Sequence, residues 1–211
     1  MGGCGSAYQS SEVEPGDPEY PKENLHPTRR IELTAVVPTT LSVSFGTVWS
    51  GNGCKREIGV AVTATVSLGL PLELSRSGEV YRGDVVIDRF EPGSCGWQFG
   101  GIAFNTENPP SVGDLIATYD GRADDQESYE LDIWCIKLPE KNAAKPEVCD
   151  SLSYLFKGPK VISPEFFASV PEGERDNGGP APIGPKTQSI LVRFHDLDAT
   201  PNFKVQRRSR G

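Results

Sequence analysis

Methionine is nearly missing from this chain: its 211 residues include one, at position 1. Histidine is almost as scarce, with two. With so few imidazoles, and no cysteine pair at the two-to-four-residue spacing of a metal knuckle, a structural zinc site is not expected. No apolar run approaches the roughly 20 residues a membrane-crossing helix needs. No Gly-x-Ser-x-Gly elbow is present, so the sequence shows no hydrolase nucleophile of that kind. Positive charge is also short: 21 Lys and Arg stand against 29 Asp and Glu, a formal charge of −8. Such a surface repels phosphates, so a nucleic-acid partner is not expected; the charge first serves solubility, and it would suit a basic protein partner.

What is abundant is turn chemistry. The 23 Gly and 18 Pro, with many short apolar runs between them, suit a β-protein. Leu41–Trp49 alternates strictly: Leu41, Val43, Phe45, Thr47 and Trp49 share one face. That period of two marks a half-buried strand. Ile31–Val37, Ile58–Val66, Gly78–Phe90, Trp97–Phe104, Asp114–Tyr119, Ser128–Leu138 and Ser189–Leu197 read as further strands. Turns are expected at Ser50–Gly53 and Glu91–Gly96, and a helical turn or two at Pro164–Val170. The expected fold is an all-β, antiparallel β-sandwich of the immunoglobulin-like or a related kind with little helix; a barrel ranks second. Residues 1–29 are Ser/Pro-rich and acidic without apolar periodicity, and read as a flexible tether. A single domain over 30–200 and a basic tail over 201–211 complete the organisation.

The five cysteines are Cys4, Cys54, Cys95, Cys135 and Cys149. Four lie in the expected domain and allow three connectivities. Cys54 and Cys95 each sit in a turn beside a Trp-bearing strand, so a bridge between them would clip one end of the sandwich. A Cys135–Cys149 bridge would pin the irregular segment after Leu138 and contribute about 3 kcal/mol by the chain-entropy argument. Two disulfides imply an oxidising compartment.

Cys4 stands apart in Met1-Gly2-Gly3-Cys4-Gly5-Ser6, which resembles a bacterial lipobox with Cys4 as the lipidated residue. The same residues fit myristoylation at Gly2 with palmitoylation at Cys4, but that would place the chain in a reducing cytosol, where the disulfides make little sense. A second stretch, Asp88-Arg89-Phe90-Glu91-Pro92-Gly93-Ser94-Cys95-Gly96-Trp97, resembles a segment of small exported lipoproteins of proteobacteria, some of them periplasmic immunity proteins. The resemblance implies a lipid-anchored periplasmic protein, with a secreted antibacterial toxin as partner. An extracellular surface location is the alternative.

Candidate chemistry is thin. His195 lies beside Asp196, but neighbours in a strand point to opposite faces, and the strand reads as an edge where a His is simply solvated. Asp120, Asp124, Asp125 and Glu127 cluster in the loop between two strands. Their spacing lacks the alternation of a Ca²⁺-binding loop, so the cluster reads first as a solvated hairpin loop; as a functional surface it would cover a partner's site and steer it by charge. Gly100-Gly101 within a strand marks a bulge or a close backbone approach. No catalytic residue, metal or cofactor is expected. A non-enzymatic binding protein comes first, an envelope structural subunit second and a carboxylate-dependent hydrolase third.

Overall fold

Alternating apolar residues produce strands along most of the described chain. The computed structural model describes residues 11–59, 62–106, 114–121, 126–137, 147–152, 166–167, 180–196 and 206–207. In chain order the strands are β1 (Arg30–Val36), β2 (Val43–Gly59), β3 (Val62–Leu72), β4 (Ser75–Ser77), β5 (Val80–Val86), β6 (Trp97–Thr106), β7 (Asp114–Tyr119), β8 (Ser128–Lys137), β9 (Glu147–Leu152), β10 (Phe166–Phe167), β11 (Ala181–Ile183), β12 (Ser189–Asp196) and β13 (Gln206–Arg207). No helix occurs among the described residues.

The strands form a six-stranded sheet, β4-β5-β1-β12-β8-β9, and a five-stranded sheet, β11-β7-β6-β2-β3; β10 pairs with β13. The two large sheets pack as a β-sandwich. Phe194 of β12 meets Phe104 of β6 and Phe45 of β2 at ring-centroid distances of 5.2 and 6.0 Å. Trp49 lies edge-on to Phe90 and Phe99 at 4.8 and 5.2 Å. Its indole N–H donates to the Thr47 hydroxyl at 3.2 Å, so burial leaves that donor satisfied. Ile31, Leu33 and Ala35 of β1 and Ile190, Val192 and Phe194 of β12 point inward and are buried. Removing a side chain of that size from water stabilises by roughly 1.5–3 kcal/mol.

Several expectations need correction. The sheets are mixed: β1 pairs parallel with β12, β12 with β8, and β11 with β7. Alternation tells which face a side chain takes and carries no strand direction. Ser50–Gly53 is no reversal. It lies within β2, where the register with β3 shifts between Gly51 and Lys55, and the two strands separate only at Gly59 and Val62. Phe166–Phe167, within the expected helical stretch, is strand, as aromatic residues favour. Cys149 lies in β9, not in a loop, and Gln206–Arg207 of the basic tail forms β13. The glycine pair behaves as read: Val48 pairs with Gly101 and Trp49 with Phe99, leaving Gly100 as the extra residue of a bulge.

The largest correction concerns the tether. Residues 11–29 lie along the sandwich. Val13 is 2% exposed. The Val13 N–H donates to the Ser67 carbonyl at 2.8 Å, and the Ser67 N–H to the Ser11 carbonyl at 2.9 Å. Further along, Asn24 N–H donates to Arg89 O at 2.7 Å and Glu91 N–H to Lys22 O at 2.9 Å. Residues 11–13 thus cap the free edge of β3, and residues 22–24 cap the chain after β5. Residues 1–10, including Cys4, lie outside the described residues.

Candidate binding face

Strand direction determines what gathers at each end of the sandwich. β2 runs toward its hairpin with β3. β6 is antiparallel to it and starts there, with Trp97 opposite Gly51. β7 is antiparallel to β6 and therefore finishes at the same end, which carries Asp120. β1 starts there as well, since its partner β5 finishes there with Val86 opposite Arg30. One end thus holds the β2–β3 hairpin, the connection before Trp97 and the β7–β8 loop.

A disulfide closes this end. Cys54 bridges to Cys95 across 41 residues of sequence, with Cα atoms 4.9 Å apart. The Gly53 N–H donates to the Cys95 carbonyl at 2.7 Å. Gly51 is needed beneath it: a Cβ there would lie 2.6 Å from a Val66 methyl and 3.1 Å from the Trp97 ring. By the chain-entropy argument a loop of this length contributes about 4 kcal/mol. Cys135 stands directly opposite Cys149 in the β8–β9 register. Paired strand positions have the Cα spacing that a bridge requires.

Asp120 and Glu127 are exposed at this end. Asp124 and Asp125, between them in the loop, lie outside the described residues. The base of the loop is held by backbone bonds. Asp120 N–H donates to Ile183 O at 2.9 Å, and Gln188 N–H to Glu127 O at 2.8 Å. The Thr187 hydroxyl donates to Gln126 O at 3.2 Å and accepts from Gly184 N–H at 3.0 Å. The turn between β11 and β12 therefore fixes both ends of the acidic loop.

The N-terminal segment is fastened beside this face by charge. One Arg56 nitrogen lies 2.7 Å from Glu19 Oε2 and 2.8 Å from Asp17 Oδ2. The Trp97 indole N–H donates to the Glu19 carbonyl at 2.9 Å. The Glu14 N–H bonded to Asp17, with Arg56 beside it, holds the Asp17 carboxyl below its usual range. The Arg56 hydrogen bond does the same for Glu19. Burial pushes Asp88 up, but the N–H groups of Thr28 and Arg29 and the Thr28 hydroxyl outweigh it and hold that carboxyl low.

His195 is not at an edge. Its strand lies between β1 and β8, and its Nε2 is 2.6 Å from Asp132 Oδ1 on β8. Asp196 does point to the other face and is buried, as alternation requires. Asp132 escaped the sequence reading because its contact depends on strand order. Arg193 and Glu130 also meet across the two strands, at 2.9 Å, so His195 belongs to a row of cross-strand polar contacts on the outer face. Among the described residues no group of three or more His, Cys, Asp or Glu side chains is placed to hold a metal ion.

No protein family, no curated protein and no solved structure matches this chain.

Proposed function

We propose that this chain is a non-enzymatic, membrane-tethered periplasmic binding protein, lipidated at Cys4, and that it neutralises a basic secreted toxin. The observation that carries the reading is the Cys54–Cys95 disulfide at the end of the sandwich that also carries the exposed Asp120 and Glu127. A disulfide is compatible with an oxidising compartment. The Glu12–Ser67 bridge is parallel, so the chain at Ser11 is heading away from the hairpin end. Six residues separate Cys4 from Ser11. Fully extended, they reach about 25 Å at most. A lipid on Cys4 would therefore keep Ser11, and the domain it begins, close to the bilayer, and the partner would be met at the membrane surface. Asp120, Asp124, Asp125 and Glu127 would steer a cationic partner, and the rigid sandwich would cover its working surface.

The test is a binding measurement between the purified domain and the basic secreted toxins of its native host. Affinity is expected to fall with added salt and to drop at least tenfold when Asp120 and Glu127 are changed to Lys. Salt-independent binding that survives this charge reversal would remove the acidic loop from the mechanism.

A further inference from the structure

Among the described residues, one stretch of β5 has outward backbone groups with no backbone partner. On β3 the outward donors are blocked in turn: Ser67 bonds to residues 11 and 13, and Gly69 N–H reaches the Glu12 carboxylate at 3.4 Å. The next outward position is Pro71, which has no N–H. β5 differs. Glu79 O accepts from Val37 N–H and Ile87 N–H donates to Arg29 O, so its odd-numbered positions face β1. Even-numbered positions face the edge. Val80 and Arg82 are taken by β4, and the Asp88 carbonyl accepts from the Asn24 side chain at 2.8 Å. Between them, Asp84 and Val86 direct their N–H and C=O groups at an edge that no described strand pairs.

A cleft of about 270 Å³ opens beside these two residues. Trp49, Leu72, Pro71 and Val86 give it apolar walls, and Glu23 and Arg89 stand on its rim. The rim charges are already paired: Arg89 with Glu23 and Arg30 with Asp84, each at 3.3 Å. The opening offers two backbone donor–acceptor positions and a hollow in which Asn24 and Thr47 join the apolar walls, and its rim ions are paired.

We infer that this window binds one short, uncharged, extended peptide segment, which adds to β5 as a strand and places a single apolar side chain in the cleft. Strand addition supplies main-chain hydrogen bonds, and the hollow between the sheets supplies selectivity. The segment is limited to about three residues, because β4 closes one side of the window and residues 22–24 the other. The site is distinct from the acidic loop and does not depend on the role proposed for it.

The test uses the oxidised full-length chain and acetyl-Thr-Leu-Thr-amide, followed by amide chemical shifts. Saturable shifts centred on Asp84 and Val86, at millimolar peptide, are expected. A peptide N-methylated at its third residue loses one of the two donors that face β5 and should bind roughly tenfold more weakly, with the protein unaltered. Asp84→Pro, which removes an outward N–H and leaves the β1 ladder intact, should weaken binding similarly. Absence of shifts at Asp84 and Val86, or equal binding of the N-methylated peptide, would overturn the inference. So would shifts that appear with protein concentration alone, which would assign the edge to a second copy of the chain.

Discussion

The guanidinium of Arg56 lies 2.7 Å from the carboxylate of Glu19, joining β2 to a chain segment 37 residues upstream. The Arg56 side chain is 14% exposed, and the same nitrogen also holds Asp17. Through this contact the N-terminal segment becomes part of the sandwich. Arg56→Ala should release it. Hydrogen exchange at the Val13 and Ser67 amides is expected to accelerate at least tenfold, while exchange at Leu33 in the core stays unchanged. Uniform exchange in the variant and the parent would show that Val13 and the backbone bonds suffice.

Acid should act at the same place. Asp17, Glu19 and Asp88 each have a carboxyl held below its usual range in the folded chain. Their contribution is therefore present above the ordinary carboxylate values and is lost as pH falls through the lowered ones. Residues 11–29 are expected to become protease-sensitive below about pH 4, before the core unfolds. Core and segment melting together, at one pH, would argue against a separable N-terminal layer.

How much of this was legible follows from where the signal resides. Phe45 and Trp49 announce their strand by alternation, and Gly100-Gly101 announces its bulge by lacking side chains. The Cys54–Cys95 pairing could be read because both residues flank Trp-bearing strands. The docking of residues 11–29 could not. Two buried side chains, Val13 and Pro21, sit in a Ser/Glu/Pro-rich stretch, and the remaining bonds are to backbone or charged groups far along the chain. His195–Asp132 was hidden for a related reason: residues 63 apart meet only because β12 lies beside β8. Sequence periodicity specifies faces, whereas strand order and direction emerge from the whole packing problem.

The disulfide at the hairpin base should carry measurable stability. Replacing Cys54 and Cys95 together by Ser is expected to lower the unfolding free energy by about 4 kcal/mol in chemical denaturation. A change under about 1 kcal/mol would show that the end of the sandwich is held by packing around Gly51, Val66 and Trp97 instead.

Gly101 tests the close approach of β6 and β7. A Cβ at this position would collide with the Ala117 carbonyl oxygen. Since that atom is backbone, it can move only by displacing the strand. Gly101→Ala is expected to cost at least about 2 kcal/mol, read from the denaturation midpoint. Gly78, in the exposed turn between β4 and β5, has open space around its Cβ and a φ of 63°. Gly78→Ala should cost only about 1 kcal/mol, from backbone conformation alone.

The function proposed above requires a disulfide-bonded domain held at a membrane through Cys4. Intact mass of the protein taken from the membrane fraction of its native host, with and without reductant, tests it most directly. The expected species begins at Cys4, carries a diacylglyceryl and an acyl group, and gains about 4 Da on reduction, two for each of the Cys54–Cys95 and Cys135–Cys149 bridges. An unlipidated chain with five free thiols would contradict the account.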